Sequence, residues 1–271
     1  MNKFKKLKNK SKELRKLIFD VGIKNDGHLS TSFSCVEILV TLYFGGFLNH
    51  TKNQMNSLKR NTFVLSKGHA ETILYCILYL KKFISKNTLY KSYNSGDHFL
   101  GGHVDHKVPG VELTTGSLGH GLGFSSGMAL ASKIEKIKNK HYVLLGDAEC
   151  TEGSIWEAAL FSSFHKLSNI IAFIDRNNIG SLDYVKNFTS LDPLEDKWKA
   201  FGWNVFIVNG HDVKSIYNAI KKAHFSKKPA MIIANTIKGK GLTVMENDPI
   251  WHTKKLNEKE KIIKSKKDLE I

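Results

Sequence analysis

The stretch Tyr142-Val143-Leu144-Leu145-Gly146-Asp147-Ala148, with its counterpart Ile170-Ile171-Ala172-Phe173-Ile174-Asp175-Arg176-Asn177, decides the fold. Each opens with an unbroken apolar run of four or five residues and then turns polar. Runs of that length and continuity read as strands buried on both faces, the signature of a parallel sheet. Between them, Gly153 to Lys166 reads as a helix, so the pair forms a strand–helix–strand unit. Outward toward the C-terminus the rhythm repeats. Asp196 to Phe201 reads as a helix, Val205 to Val208 as a strand, Val213 to His224 as a helix and Met231 to Ala234 as a strand. Toward the N-terminus, a helix is expected from Leu7 to Val21 with Gly22 as its cap. A second, capped by Ser32 or Ser34, runs from Val36 to about Phe44. Thr62 to Leu65 is a short strand, and Ala70 to Leu80 and Gly121 to Ile137 are helices flanking glycine-rich sequence over 96–127. The expected architecture is α/β: a doubly wound, mostly parallel sheet with helices on both faces.

In such sheets ligands bind beyond the C-terminal strand ends. Asp147 and Asn177 end two successive strands and lie 30 residues apart. If the strands are neighbours, a carboxylate and an amide oxygen share one crevice. That is a donor set suited to Mg²⁺, which favours hard oxygens and completes its shell with phosphate and water. Gly146 lets backbone approach a phosphate, and the helix starting at Gly153 adds a field favourable to an anion.

Composition bounds the alternatives. The chain has 271 residues, 41% of them hydrophobic, and a formal net charge of +16. That excludes a mainly disordered chain and a disulfide scaffold. The charge raises nucleic acid as a partner, but residues 1–16 carry a net +7 and residues 253–271 a net +3. No arginine or aromatic interleaving supports base or phosphate reading there. A solvated, lysine-rich surface is favoured over nucleic-acid binding. The division expected is a basic extension over 1–15, one domain over 16–252 and a charged tail over 253–271. Cys35, Cys76 and Cys150 have no metal or redox spacing and read as free thiols. The N-terminus lacks an apolar signal core, and no stretch is long enough to span a membrane. The setting expected is cytoplasmic, without a membrane partner.

The Gly146-Asp147-Ala148 to Asn177 spacing resembles the thiamine-diphosphate motif of transketolases. Further segments follow in family order: Gly27-His28, Leu65-Ser66-Lys67-Gly68-His69-Ala70, Gly102-His103, Thr114-Thr115-Gly116-Ser117-Leu118-Gly119, Glu152-Gly153, Lys238-Gly239-Lys240-Gly241 and Trp251-His252. The resemblance runs from about residue 10 to 255. It implies thiamine diphosphate and Mg²⁺ as cofactors, with Asp147, Asn177 and the Ile179 carbonyl as metal ligands. It also implies diphosphate contacts from His69, Gly146, the Ala148 amide and Lys238, and a loop of Gly116, Ser117 and Leu118 against the aminopyrimidine. His28, His103 and His252 would face the sugar as catalytic groups, His252 also contacting cofactor. Ala148 departs from the usual glycine. The length resembles the N-terminal subunit of a split transketolase. A separately encoded pyrimidine-binding subunit, two copies of each chain and sugar-phosphate substrates are therefore expected. A deoxyxylulose-phosphate-synthase-like transferase and a non-catalytic protein retaining the fold are the competing readings.

Overall fold

The computed structural model describes residues 2–96, 100–181 and 183–271. Its framework is one parallel sheet. The strands are β1 (Thr62–Leu65), β2 (His141–Gly146), β3 (Ile170–Arg176), β4 (Asn204–Asn209) and β5 (Ala230–Asn235), in spatial order β1-β2-β3-β5-β4. All five expected strands form, and every pairing is parallel. The register places Gly146 opposite Asp175, so the polar ends of β2 and β3 are neighbours.

Alternation along each strand divides the apolar side chains between two cores. Tyr142 and Leu144 of β2 face the layer built by α1 (Lys3–Lys24), α2 (Leu29–Ser34), α3 (Val36–Phe44) and α4 (Glu71–Leu80). Val143 and Leu145 face α5 (Gly121–Ile134), α6 (Gly153–Phe164) and α7 (Leu194–Ala200). The helix α8 (Val213–His224) joins the first layer, and α9 (Lys259–Asp268) follows near the C-terminus. Covering both faces lets β1, β2, β3 and β5 be continuously apolar, whereas the edge strand β4 leaves Ile207 in solvent. No helix among the described residues is long and apolar enough to cross a membrane.

Several local expectations change. Gly22 does not end α1, which continues to Lys24. Instead its bare Cα receives the Leu29 side chain, and a Cβ there would lie 2.4 Å from Leu29 Cδ2. Neither Ser32 nor Ser34 caps α3. A short helix, α2, intervenes, and the Ser34 hydroxyl donates to Asp175 across the core. The helices near 121–137 and 153–166 end earlier, at Ile134 and Phe164.

The basic ends are packed helices rather than frayed segments. Leu7, Ser11 and Leu14 of α1 are buried, and Arg15 makes a two-pronged contact with Glu37 at 2.5 and 2.9 Å. Burial pushes the Glu37 carboxyl up, but Arg15 and His211 outweigh it and hold it down at about 2. Leu256 and Leu269 likewise join the core beside α1. The lysines of both ends occupy the outer helix faces, and the apolar positions between them do the packing.

Candidate active site

The ends of β2 and β3 form the floor of a cleft of about 450 Å³. Asp147 follows β2 and is 2% exposed; Asn177 follows β3 and is 5% exposed. Asp147 Oδ1 accepts from the Ala148 amide at 2.8 Å, and Oδ2 from the Asn178 amide at 2.5 Å. Burial pushes its carboxyl up to about 6 against those two donors. The carboxylate is thus held in a place that disfavours its charge, which a bound cation would relieve. Asn177 is oriented by a donation from its Nδ2 to Asp175 Oδ2 at 3.2 Å, while its Oδ1 accepts from Ile179 N at 3.1 Å. Ala148 begins a 3₁₀ turn and is not among the left-handed residues, so its methyl is accommodated. The strained position is Asn178, after the next strand, with φ 62°, which asparagine tolerates.

One buried pair anchors this floor. Lys67 donates to Asp175, which also receives the Ser34 and Thr236 hydroxyls. Lys67 and Asp175 side chains are 2% and 0% exposed. Nothing in the sequence marks Lys67, Asp175 and Thr236 for this role, because a pairing between positions 67 and 175 leaves no local spacing. Glu149 is a comparable brace: its carboxylate takes the Ser66 hydroxyl and the amides of Gly119 and Gly146.

The wall is imidazole. His28, His69, His103 and His252 all line the cleft. Ring centroids lie 6.4 Å apart for His28–His69, 6.1 Å for His28–His103 and 5.2 Å for His69–His252. Gly116 lines it too. A Cβ on Gly116 would meet the His103 ring at 2.9 Å, so the glycine lets that ring lie against the loop. Leu118 lines the cleft, whereas Ser117 is exposed and does not.

Lys238 is nearly enclosed, and its Nζ donates to His252 Nδ1 at 2.8 Å. Burial, aided by Lys67, pushes Lys238 down to about 7, and burial with Lys238 pushes His252 down to about 3. His69 is also pushed well down by burial. His28 goes the other way, raised by its hydrogen bond to Glu71. The wall therefore mixes uncharged imidazoles with one that holds its proton more firmly.

Two long-range bonds close the cleft. Ser30 Oγ donates to the Trp251 carbonyl at 2.6 Å, and Gly239 N donates to the Ser30 carbonyl at 2.9 Å. They bind the α2 segment to the segments carrying Lys238 and His252. Gly68 makes a third close approach: a methyl there would lie 2.5 Å from the Thr115 carbonyl oxygen. Gly68→Ala is expected to push the His69 turn off the Gly116 loop. The cost should be about 1–3 kcal/mol of stability, read by urea denaturation, with weaker cofactor binding read by calorimetry.

The donor set of carboxylate, amide and backbone carbonyl, with cationic lysine and imidazole above it, suits a metal-bound diphosphate. No group of three or more His, Cys, Asp or Glu able to hold a metal occurs among the described residues. The class defined by this fold and cleft is an α/β domain whose paired parallel strand ends open into a cleft suited to an anionic cofactor.

Comparison with known proteins gives the family. Residues 7–270 match the model described as "Transketolase, thiamine diphosphate binding domain", and the chain belongs to that family. It is 39% identical over 254 residues to one subunit of the apulose-4-phosphate transketolase of Actinobacillus succinogenes, covering 93% of this chain and 91% of that one. It is 38% identical over 255 residues to the 6-deoxy-6-sulfo-D-fructose transketolase subunit SqwG of a Clostridium species, covering 93% and 92%. The crystal structure of Campylobacter jejuni transketolase superposes with a TM-score of 0.92 at 31% identity. That match covers all of this chain and 43% of the Campylobacter chain.

Proposed function

We propose that this chain is the diphosphate-binding subunit of a two-subunit transketolase, moving a two-carbon ketol unit from a ketose phosphate to an aldose phosphate. The convergence of His28, His69, His103 and His252 over Asp147 and Asn177 in one cleft carries this reading. Asp147, Asn177 and the Ile179 carbonyl would hold Mg²⁺. His69, Gly146, the Ala148 amide and Lys238 would hold the diphosphate, and the Gly116–Leu118 loop the aminopyrimidine. When bound, thiamine diphosphate supplies the stabilisation of the carbanion at the cleaved C2–C3 bond.

The protein's own work is placement and proton traffic. His252, kept uncharged by burial and Lys238 and held at Nδ1 by the Lys238 ammonium, would present a fixed ring to the cofactor and sugar. Lys238 keeps a positive field near the diphosphate, and an arriving anion would draw its proton affinity back up. His28 and His103 line the same cleft and would face the sugar.

The partner is a pyrimidine-binding subunit supplying the acid that activates the cofactor, with two copies of each chain. The relatives matched over nine-tenths of their length are each named as one subunit of a transketolase, which supports this. So do the apolar side chains left in solvent on α5 (Phe124, Ile134) and α6 (Leu160, Phe164). Three buried free thiols suit a reducing, cytoplasmic setting. The test is a coupled ketol-transfer assay over several ketose phosphates. The isolated chain should show no turnover, and adding the partner subunit should restore it. Robust turnover by the chain alone overturns the two-subunit reading.

A further inference from the structure

Behind the histidine wall lies a carboxylate that the cofactor reading does not use. Glu71 opens α4 and is 0% exposed. Its Oε1 accepts from the Tyr93 hydroxyl at 2.5 Å, the Thr72 hydroxyl at 3.1 Å and the His28 backbone amide at 3.3 Å, and stands 3.2 Å from His28 Nδ1. Its Oε2 is buried and has no hydrogen-bond partner among the described residues. Burying a carboxylate with one oxygen unsatisfied is costly. Packing alone does not account for it, since an apolar residue would fill this space at lower cost.

The surroundings are shaped for this contact. Gly27 precedes His28, and a Cβ there would lie 2.4 Å from Thr72 Oγ1 and 2.8 Å from the Tyr93 hydroxyl. The glycine thus makes room for the hydroxyls that hold Glu71. Burial keeps the Tyr93 phenol protonated far above its ordinary range, so it remains a donor. The His28 side chain is 31% exposed and lines the cleft.

We propose that Glu71 is a positioning residue that fixes the His28 ring with Nδ1–H directed at its carboxylate and Nε2 turned to the sugar end of the cleft. A carboxylate behind an imidazole selects one tautomer and stabilises the protonated ring. Nε2 then takes a proton from a substrate hydroxyl and returns it, while Nδ1 keeps its own. The groups facing His28 are Glu71 on one side, with Tyr93 behind it, and His69, His103, His252, Lys238 and Lys255 on the other. Burial and the two lysines oppose the charged ring; Glu71 favours it and wins. The proposal rests on His28 facing the sugar in the proposed ketol transfer.

The experiment has two arms. In the first, histidine ring signals of the labelled full-length chain are followed by NMR against pH, with His28 assigned by its loss in His28→Gln. Glu71→Gln, which keeps the shape and removes the charge, should lower the His28 midpoint by roughly one pH unit. Glu71→Asp, which keeps the charge, should leave it near the wild-type value, and exposed His106 should not move in either. In the second arm, the chain assembled with its partner subunit is assayed for ketol transfer. Glu71→Gln should lower kcat at least about tenfold with little change in KM. The Glu71→Gln and His28→Gln double variant should lose no more than His28→Gln alone. An unmoved His28 midpoint in Glu71→Gln, or losses that simply multiply in the double variant, overturns the proposal. If the assembled wild type transfers no ketol unit, the catalytic reading fails, and the titration alone decides the His28–Glu71 pairing.

Discussion

Replacing Asp147 with alanine should weaken binding of thiamine diphosphate and Mg²⁺ by more than about 100-fold while leaving the chain folded. Both halves follow from the same geometry. Asp147 is 2% exposed and its two backbone donors, Ala148 and Asn178, do not fully replace the water it gave up. Burial therefore lifts its carboxyl to about 6, so its charge is disfavoured where it stands unless a cation joins it. Removing the side chain discards the proposed cation ligand but also an unfavourable buried charge. The melting temperature without cofactor should hold or rise slightly. Calorimetry with thiamine diphosphate and Mg²⁺, in the presence of the partner subunit, compares variant with wild type. Equal affinity would refute the metal assignment, and a collapsed fold would refute the claim that this acid is not structural.

Lys67→Met should have the opposite profile: a large loss of stability, about 3–5 kcal/mol. Against a typical total of roughly 5–15 kcal/mol, that is a large share. Burial pushes the Asp175 carboxyl up, yet Lys67, Ser34 and Thr236 outweigh it and hold it below its ordinary value. Without Lys67 the carboxylate keeps only neutral donors in the centre of the sheet. The sign of the pH dependence follows. A lowered carboxyl stabilises the fold fully above the ordinary carboxylate range, and that contribution is lost as pH falls through the native value. Wild type should therefore lose stability in acid over that window, and Lys67→Met should lose less there because it starts with less. Urea denaturation at neutral and acid pH measures both. A variant within about 1 kcal/mol of wild type at neutral pH would show that the pair contributes little net energy.

These two residues also mark what the sequence could and could not disclose. The positions of Asp147 and Asn177 at the cleft were legible because each lies within three residues of the end of an apolar run, where a parallel sheet opens its cleft. Four of the strands were legible because burial on both faces makes them continuously apolar; the edge strand β4 was legible from its apolar run although it is largely exposed. Lys67 and Glu71 were not legible as partners of Asp175 and His28. Their contacts join segments 108 and 43 residues apart, which no local pattern encodes. The helix ends drifted where tertiary contacts overrode local chemistry, as when Ser34 donated to Asp175 instead of capping α3. The basic ends misled for a related reason. Lysine counts dominate their composition, but Leu7, Leu14, Leu256 and Leu269 decide where they lie.

The bonds that tie Ser30 to the Trp251 carbonyl and the Gly239 amide have a consequence for synthesis. Residues near the start of the chain depend on residues near its end for the cleft to exist. On the ribosome, strands β1 to β3 can pair and bring Asp147 beside Asn177 while later residues are still being added. His28 and His69 have no Lys238 or His252 to face until the last segments emerge. A nascent chain would carry Asp147 beside Asn177 long before the histidine wall is complete, so the whole cleft exists only once Lys238 and His252 have emerged.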